Sequence, residues 1–211
     1  AQNAQNAQNA QNAQNAQNAQ KSVINIIPKN EPFLLVIDDI FTPEQCKTLI
    51  KICEAQGLEH IDRSTPGVGN ITYDRAMLDN KELAGSLYKR LRKYIPQSVD
   101  GKRVHGLNNY FRFSKYYPGG EFAIHKDGVN QDVLGNRSIM TLNIFLNEDF
   151  EGGETDFFHK SDNRGVKQLR RSVKPKTGSG TLFYSQQYHR GNKVTKGIKY
   201  LLRTDVMVSD F

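Results

Sequence analysis

The chain has 211 residues and a formal net charge of +7, from 29 Lys and Arg against 22 Asp and Glu. An apolar share of 37%, with Phe and Tyr spread along the chain from Phe33 onward, allows a hydrophobic core and excludes a fully disordered protein. No apolar stretch is long enough for a membrane span, and no signal-peptide pattern opens the sequence, so we expect a cytoplasmic protein that does not enter a membrane.

The first 20 residues are six Ala-Gln-Asn triplets followed by Ala-Gln. They contain no charged, aromatic or branched aliphatic side chain whose burial would offset the entropy of ordering the chain. We therefore predict a low-complexity tail over residues 1–20 and a single folded domain over residues 21–211.

The N-terminal part of this domain is predicted to contain one strand and two helices. The apolar run Phe33–Ile37 is typical of a buried strand. Residues Thr42–Gln45 form a capping box with proline at the first helical position, and Gly57 marks the end of that helix. A second helix is expected from about residue 80 to about residue 94. The segment 63–71 between the helices is rich in Gly, Ser and Pro, and is predicted to be a mobile loop.

After residue 101 the pattern changes to short strands. In the segment 109–117, Phe111 and Phe113 share one face, and the opposite face carries Tyr110, Arg112, Ser114 and Tyr116. Further strands are predicted over residues 122–125, 138–146, 154–158, 180–184 and 200–208. Helices early in the chain and strands late in it predict an α+β fold, in which a β-sandwich or jelly roll is buttressed by the N-terminal helices.

Three residues have the types and spacing of a metal site. On an extended strand His125 and Asp127 would project from the same face, which places an imidazole beside a carboxylate. His189 follows the predicted strand 180–184 and could complete the set from a facing strand. Two nitrogens and one oxygen are the donors of a non-haem Fe(II) site with open positions for a cosubstrate and dioxygen. The alternative is two surface histidines and a loop aspartate.

Cationic residues near His189 extend this hypothesis. Lys199 stands at the start of an apolar strand, where its ammonium could pair with the distal carboxylate of a dicarboxylate that chelates iron. Arg203 lies four residues further on the same strand face. It has three interpretations: a second carboxylate partner, a substrate contact, or a structural ion pair with an acid such as Asp205. For Arg75 and Arg112 the same choice is open between a place in the cavity and a structural ion pair.

These motifs resemble the 2-oxoglutarate and Fe(II)-dependent dioxygenases, and within them the prolyl 4-hydroxylase-like branch. The resemblance extends from about residue 32 to about residue 208. The segments that carry it, in matching order and spacing, are 116–122, 125–128, 141–147, 151–155, 173–178, 182–183, 189–191 and 197–200.

The resemblance implies a double-stranded β-helix (jelly roll, cupin-like) and a single catalytic domain over residues 21–211. Fe(II), 2-oxoglutarate and O2 are the implied cofactors, and ascorbate is a further family expectation. The residues that it implies for iron binding are His125, Asp127 and His189. Lys199 is implied to bind the C5 carboxylate of 2-oxoglutarate.

One position departs from the family pattern. Relatives commonly have Tyr where this chain has Phe145, and a phenylalanine cannot donate a hydrogen bond to 2-oxoglutarate. Thr141 and Asn143 share a strand face with Phe145, so either could replace the missing donor, and Tyr116 is a third candidate.

The expected reaction is hydroxylation of an unactivated C–H bond with release of succinate and CO2, on prolyl residues of a peptide or protein. The segment Thr65–Asn70 is predicted to close over the substrate as a lid. An alternative substrate is nucleic acid, because residues 160–203 hold twelve Lys and Arg against one acid. A non-enzymatic jelly-roll binding module, with a vestigial triad or a structural zinc, is a further alternative.

Overall fold

A computed structural model describes residues 23–25, 33–65, 69–159 and 167–209. The Ala-Gln-Asn tail therefore lies outside the described residues. The helices are α1 (Pro43–Ala55) and α2 (Lys81–Leu91). The strands are β1 (Val23–Asn25), β2 (Leu34–Ile37), β3 (Glu59–Thr65), β4 (Gly69–Asp79), β5 (Ser98–Val99), β6 (Lys102–Leu107), β7 (Tyr110–Tyr116), β8 (Glu121–His125), β9 (Arg137–Phe145), β10 (Glu151–Gly152), β11 (Thr155–Phe158), β12 (Leu169–Val173), β13 (Gly180–Tyr184), β14 (His189–Gly191), β15 (Val194–Lys196) and β16 (Lys199–Ser209).

Both predicted helices are present, and their first turns are capped as the sequence indicates. The Thr42 hydroxyl accepts from the Gln45 amide at 3.2 Å, and the Gln45 side chain accepts from the Thr42 amide at 3.0 Å. The second helix is shorter than predicted. It begins after Asn80, whose side chain accepts from the Leu83 amide, and it ends at Leu91. No helix within the described ranges is both long enough and apolar enough to cross a membrane.

The strands form two antiparallel layers joined through one long strand. The first layer runs in the order β2-β13-β9-β16-β7-β4. From β4 the sheet continues into the second layer, in the order β8-β14-β11-β12. The C-terminal part of β4 pairs with β7 from Asp74 to Asp79, and its N-terminal part pairs with β8 at Ile71 and Thr72. Because β4 belongs to both layers, the sheet turns back on itself and encloses a space, which confirms the predicted jelly roll.

One part of the sequence interpretation was wrong. The segment 63–71 is largely strand, since β3 and β4 form a hairpin in which Ile61 faces Tyr73 and Thr65 faces Gly69. Residues 66–68, which form the centre of the predicted lid, lie outside the described residues. The strand β3 contains a single apolar side chain, Ile61, and so lacks the alternation by which strands are recognised.

Two clusters of buried side chains stabilise the layers. The larger cluster packs both helices against the outer face of the layer that runs from β2 to β4. Phe111 and Phe113 of β7 belong to it. Its helical side includes Cys46 and Cys53, which are buried free thiols on one face of α1. The smaller cluster lies between the layers and is rich in aromatic rings: Tyr73, Tyr116, Phe145, Phe157 and Phe183. The side chains discussed below lie against this second cluster.

Candidate active site

Two histidines come together because their strands are paired. His125 ends β8, His189 begins β14, and the two residues are direct partners in the antiparallel register. Asp127 lies two residues beyond β8, where its backbone amide donates to the Ser185 carbonyl at 2.9 Å. One potential ligand atom from each of the three residues lies within 4.8 Å of the others. The residues that the sequence singled out for a metal therefore converge in space.

The histidine rings are oriented by backbone carbonyls. Nδ1 of His125 lies 2.8 Å from the Ala123 carbonyl, and Nδ1 of His189 lies 2.9 Å from the Gln187 carbonyl. A carbonyl can only accept, so each Nδ1 donates and each Nε2 keeps its lone pair. These Nε2 atoms face Asp127 at 3.6 Å and 3.7 Å. Carbonyl-fixed imidazoles of this kind are the usual arrangement of metal-binding histidines.

Aromatic rings pack against both imidazoles, and His189 is buried among them. The Phe122 ring stacks on His125 at 4.0 Å between centroids, and Phe183 meets His189 edge-on at 4.7 Å. Burial lowers the pKa of His189 to about 4, although the neighbouring Asp127 charge opposes that change. His189 is therefore neutral at pH 7, which is the form that binds a metal.

Asp127 is held as an anion by its neighbours. Burial by itself disfavours the charged carboxylate, but the charge of Arg203 and the hydrogen bond from Thr141 hold the pKa of Asp127 well below its usual range. The Thr141 hydroxyl donates to Oδ2 at 2.6 Å, and Arg203 Nη1 lies 3.2 Å from Oδ1. Thr141 thus lies behind the carboxylate and orients it, which differs from the contact with 2-oxoglutarate expected from the sequence.

A cavity beside the triad ends at Lys199. This lysine begins β16 opposite Tyr116 of β7, and only 2% of the residue is exposed. Its Nζ donates to the Gly153 carbonyl at 2.7 Å and lies 5.3 Å and 5.7 Å from the ring centres of Tyr116 and Phe145. Within the described ranges it has no carboxylate partner. Burial lowers the pKa of Lys199 to about 8, against the charge of Glu154, so a ligand carboxylate would satisfy this ammonium.

The remaining predicted residues have different positions. Tyr116 and Asn143 line the same cavity, and Asn143 Oδ1 is buried without a hydrogen-bond partner. Arg203 also lines it. It forms the ion pair with Asp205 that was one of its three interpretations, at 3.1 Å, and a second ion pair with Asp127 that the sequence did not indicate. Sequence reasoning missed Gln186, whose side chain donates to the Asp127 carbonyl at 3.1 Å. Its place three residues before His189 was the available signal.

The basic segment 160–203 does not form one continuous cationic surface in the part that the structure describes. Several of its cations pair with carboxylates on neighbouring strands: Lys176 with Asp38, Arg190 with Asp156, Lys193 with Glu121, Lys196 with Glu151, and Arg203 with Asp127. Lys199 is buried. Residues 160–166 of the segment lie outside the described residues. At least five of the twelve Lys and Arg side chains of the segment are therefore paired with carboxylates of the described residues.

Comparison with known proteins identifies the family. The model of the 2OG-Fe(II) oxygenase superfamily matches residues 111–204. A PKHD-type hydroxylase of Picosynechococcus sp. is 36% identical over 181 residues, which cover 77% of this chain and 73% of that protein. The chain belongs to the 2OG-Fe(II) oxygenase superfamily. A probable prolyl 4-hydroxylase 9 of Arabidopsis thaliana is 26% identical over 194 residues, covering 81% of this chain and 67% of that protein. The predicted resemblance to the prolyl 4-hydroxylase-like branch is therefore confirmed.

A solved structure shows the same fold. The viral collagen prolyl hydroxylase of Paramecium bursaria Chlorella virus-1 superimposes with a TM-score of 0.60 at 20% identity, covering 86% of this chain and 98% of that one. The predicted double-stranded β-helix is therefore confirmed. As a 2OG-Fe(II) oxygenase the protein is an oxidoreductase that uses Fe(II), 2-oxoglutarate and O2, so the interpretation as a non-enzymatic binding module was wrong. Two imidazole nitrogens, a carboxylate oxygen and a buried ammonium fit these cofactors.

Proposed function

We propose that this 2OG-Fe(II) oxygenase hydroxylates prolyl residues of a peptide or protein, and that residues 21–211 form its single catalytic domain. The proposed iron ligands are His125, Asp127 and His189, with Lys199 as the partner of the distal carboxylate of 2-oxoglutarate. The observation that carries the ligand assignment is that three donor atoms converge beside a cavity lined by a buried lysine, which has no carboxylate partner among the described residues.

The chemistry comes from the cofactors, and the chain supplies geometry. When bound, Fe(II), 2-oxoglutarate and O2 would supply the oxidative chemistry, in which one oxygen atom of O2 enters a C–H bond of the substrate and the other enters succinate, with loss of CO2. The backbone carbonyls of Ala123 and Gln187 hold the imidazoles in the tautomer with a free Nε2, and Thr141 fixes the carboxylate of Asp127. The buried aromatic cluster borders this site and lowers its local polarity, which strengthens each electrostatic contact.

The prolyl substrate is supported by the relatives. The Arabidopsis protein and the viral protein are both named prolyl hydroxylases, and each aligns with most of this chain. The alternative substrate, nucleic acid, is less well supported by the charge distribution, because at least five of the twelve cations of the basic segment pair with carboxylates. A peptide or protein substrate is therefore the better proposal.

Anaerobic titration tests the ligand assignment. Fe(II) and 2-oxoglutarate added together should give the weak visible charge-transfer band of a chelated keto acid, and His125→Ala should abolish it. His60→Ala is the matched control, because His60 lies on β3 and pairs with Asp74 at 2.6 Å, away from the cavity. Persistence of the band in His125→Ala would overturn the assignment.

Succinate release, compared between proline-containing peptides and single-stranded oligonucleotides, tests the substrate class. Stimulation by oligonucleotides alone would refute the prolyl proposal.

A further inference from the structure

Arg112 lies where the catalytic cavity meets a second cleft. Its side chain lines the cavity beside the triad together with Arg203, and the same two arginines line the adjoining cleft. We call this second space the Arg112 cleft. Its other lining residues are Met77, Asn108, Tyr110, Asn130, Gln131, Thr204 and Asp205. A substrate that reaches the metal site through this cleft would pass Arg112.

Arg112 differs from the neighbouring arginines because it has no carboxylate partner within the described residues. Arg75 on β4 is paired with Glu59 at 2.5 Å. Arg203, the cross-strand neighbour of Arg112, pairs with both Asp127 and Asp205. Arg112 is half-buried, and its Nε, like those of Arg75 and Arg203, has no hydrogen-bond partner among the described residues. What sets Arg112 apart is that no carboxylate compensates the partial desolvation of its charge.

The nearby acids are already engaged, so they do not supply this compensation. The oxygens of Asp127 contact Arg203 and Thr141. Those of Asp205 contact Arg203 at 3.1 Å and the Asn130 side chain at 2.6 Å. Arg112 and Arg203 lie directly opposite each other on adjacent strands, where two like charges repel each other. This repulsion favours the binding of an anion near Arg112.

The charges around the cavity lead to the same conclusion. Arg112, Lys199 and Arg203 are three buried or half-buried cations, and Asp127 and Asp205 are two buried anions. Arg203 pairs with both aspartates, and Lys199 would receive a carboxylate of 2-oxoglutarate. Arg112 is then the cation of this group that has no carboxylate partner within the described residues.

We propose that Arg112 binds a carboxylate of the substrate and thereby makes the enzyme selective for a prolyl segment with an acidic group beside the hydroxylated residue. This inference rests on the proposed function. An arginine at this position presents a planar fork that matches a carboxylate with two parallel hydrogen bonds. The exposed side chains of Met77 and Tyr110 at the cleft provide apolar contact for the rest of the segment.

Binding of matched peptides tests the proposal without turnover. The probes are Gly-Glu-Pro-Gly and Gly-Pro-Glu-Gly, each acetylated, amidated and carrying the same uncharged dye, with Gln and Lys versions of both. A Gln peptide that ends in a free carboxylate after proline distinguishes a terminal carboxylate from an acidic side chain. Fluorescence polarisation is measured on the enzyme loaded with Mn(II) and 2-oxoglutarate. We expect at least one carboxylate peptide to bind roughly tenfold or more tightly than its Gln version, and the Lys version to bind most weakly.

Variants assign that preference to one side chain. Arg112→Gln should reduce the ratio of affinities to about one, and Arg112→Lys should restore part of it. Arg75→Gln is the matched control, since Arg75 lies on the adjacent strand with its own partner Glu59, and it should keep the full preference. Each variant is first checked for the visible band with Fe(II) and 2-oxoglutarate, which reports an intact metal site independently of the substrate.

Two results would overturn the proposal: no preference for any carboxylate peptide in the unmodified enzyme, or a preference that survives in Arg112→Gln. The first comparison uses only the unmodified enzyme, so it tests the proposal even if the Arg112→Gln protein does not fold. A mass increase of one oxygen atom on the peptides under O2 tests the prolyl proposal separately. Oxidation without charge preference refutes the role of Arg112 alone, whereas an Arg112-dependent preference without oxidation refutes the prolyl substrate alone.

Discussion

Replacement of Lys199 by methionine should change stability and cosubstrate binding in opposite directions. The ammonium is buried, hydrogen-bonded to one carbonyl and unpaired with any carboxylate of the described chain. A pKa lowered from 10.5 to about 8 corresponds to a cost of about 3 kcal/mol for keeping Lys199 charged in the folded protein. Loss of the hydrogen bond to Gly153 removes about 1 kcal/mol of stabilisation. We therefore expect the unliganded Lys199→Met protein to be more stable by about 2 kcal/mol.

The effect on 2-oxoglutarate has the opposite sign. A hydrogen bond to a charged group is worth about 1.5 to 3 kcal/mol, so the affinity for 2-oxoglutarate should fall roughly 10- to 150-fold in Lys199→Met. Urea unfolding without ligand measures the first quantity, and titration of the visible Fe(II) band with 2-oxoglutarate measures the second. Lys196→Met is the matched control, because Lys196 is exposed and pairs with Glu151 at 3.0 Å, and both quantities should change little.

The pH dependence gives an independent check on the same group. Because the pKa of Lys199 is about 8 in the folded protein and near 10.5 in the unfolded chain, the unfolded state binds more protons between these values. The stability cost is therefore complete below pH 8 and disappears as the pH rises towards 10.5. The stability gap between Lys199→Met and the unmodified protein should close over this range, and 2-oxoglutarate affinity should decrease above pH 8. A destabilised Lys199→Met protein with unchanged 2-oxoglutarate affinity would refute this reasoning.

Three further substitutions test the site and the scaffold. Asp127→Asn should abolish the visible band and succinate release, because an amide is a poor replacement for the anionic ligand, and a band of normal intensity would contradict that role. Thr141→Val should weaken Fe(II) binding about tenfold, measured from the Fe(II) dependence of succinate release. Thr181→Val is its control, since the Thr181 hydroxyl is buried with no hydrogen-bond partner in the described part of the chain, and equal effects of the two variants would refute the role of Thr141. Thr42→Ala should lower the unfolding free energy by about 1 kcal/mol in urea titrations, and no change would mean that the capping box contributes nothing.

Local sequence patterns were sufficient where one strand or one helix determines the outcome. The alternation in β7 predicted that Phe111 and Phe113 share one face and that Arg112 and Tyr116 share the other. In the structure the first pair lies in the core and the second pair lines the cavity. The spacing of His125 and Asp127 predicted that their side chains lie side by side, because residues separated by two positions on an extended chain project from the same face. The sequence allowed only the hypothesis that His189 lies on a strand facing His125. In the structure the two residues are opposite each other because β14 pairs with β8.

Features that depend on register between distant strands were beyond the sequence. Arg75, Arg112 and Arg203 were equivalent candidates for an ion pair or a cavity position, since each lies on a strand with polar neighbours. Their outcomes differ because β3 brings Glu59 opposite Arg75, while Arg203 lies within reach of two acids. Arg112 faces Met77 on one side and Arg203 on the other, and neither strand brings it a carboxylate. The same register that satisfies Arg203 therefore leaves Arg112 as the cation that a substrate can pair with.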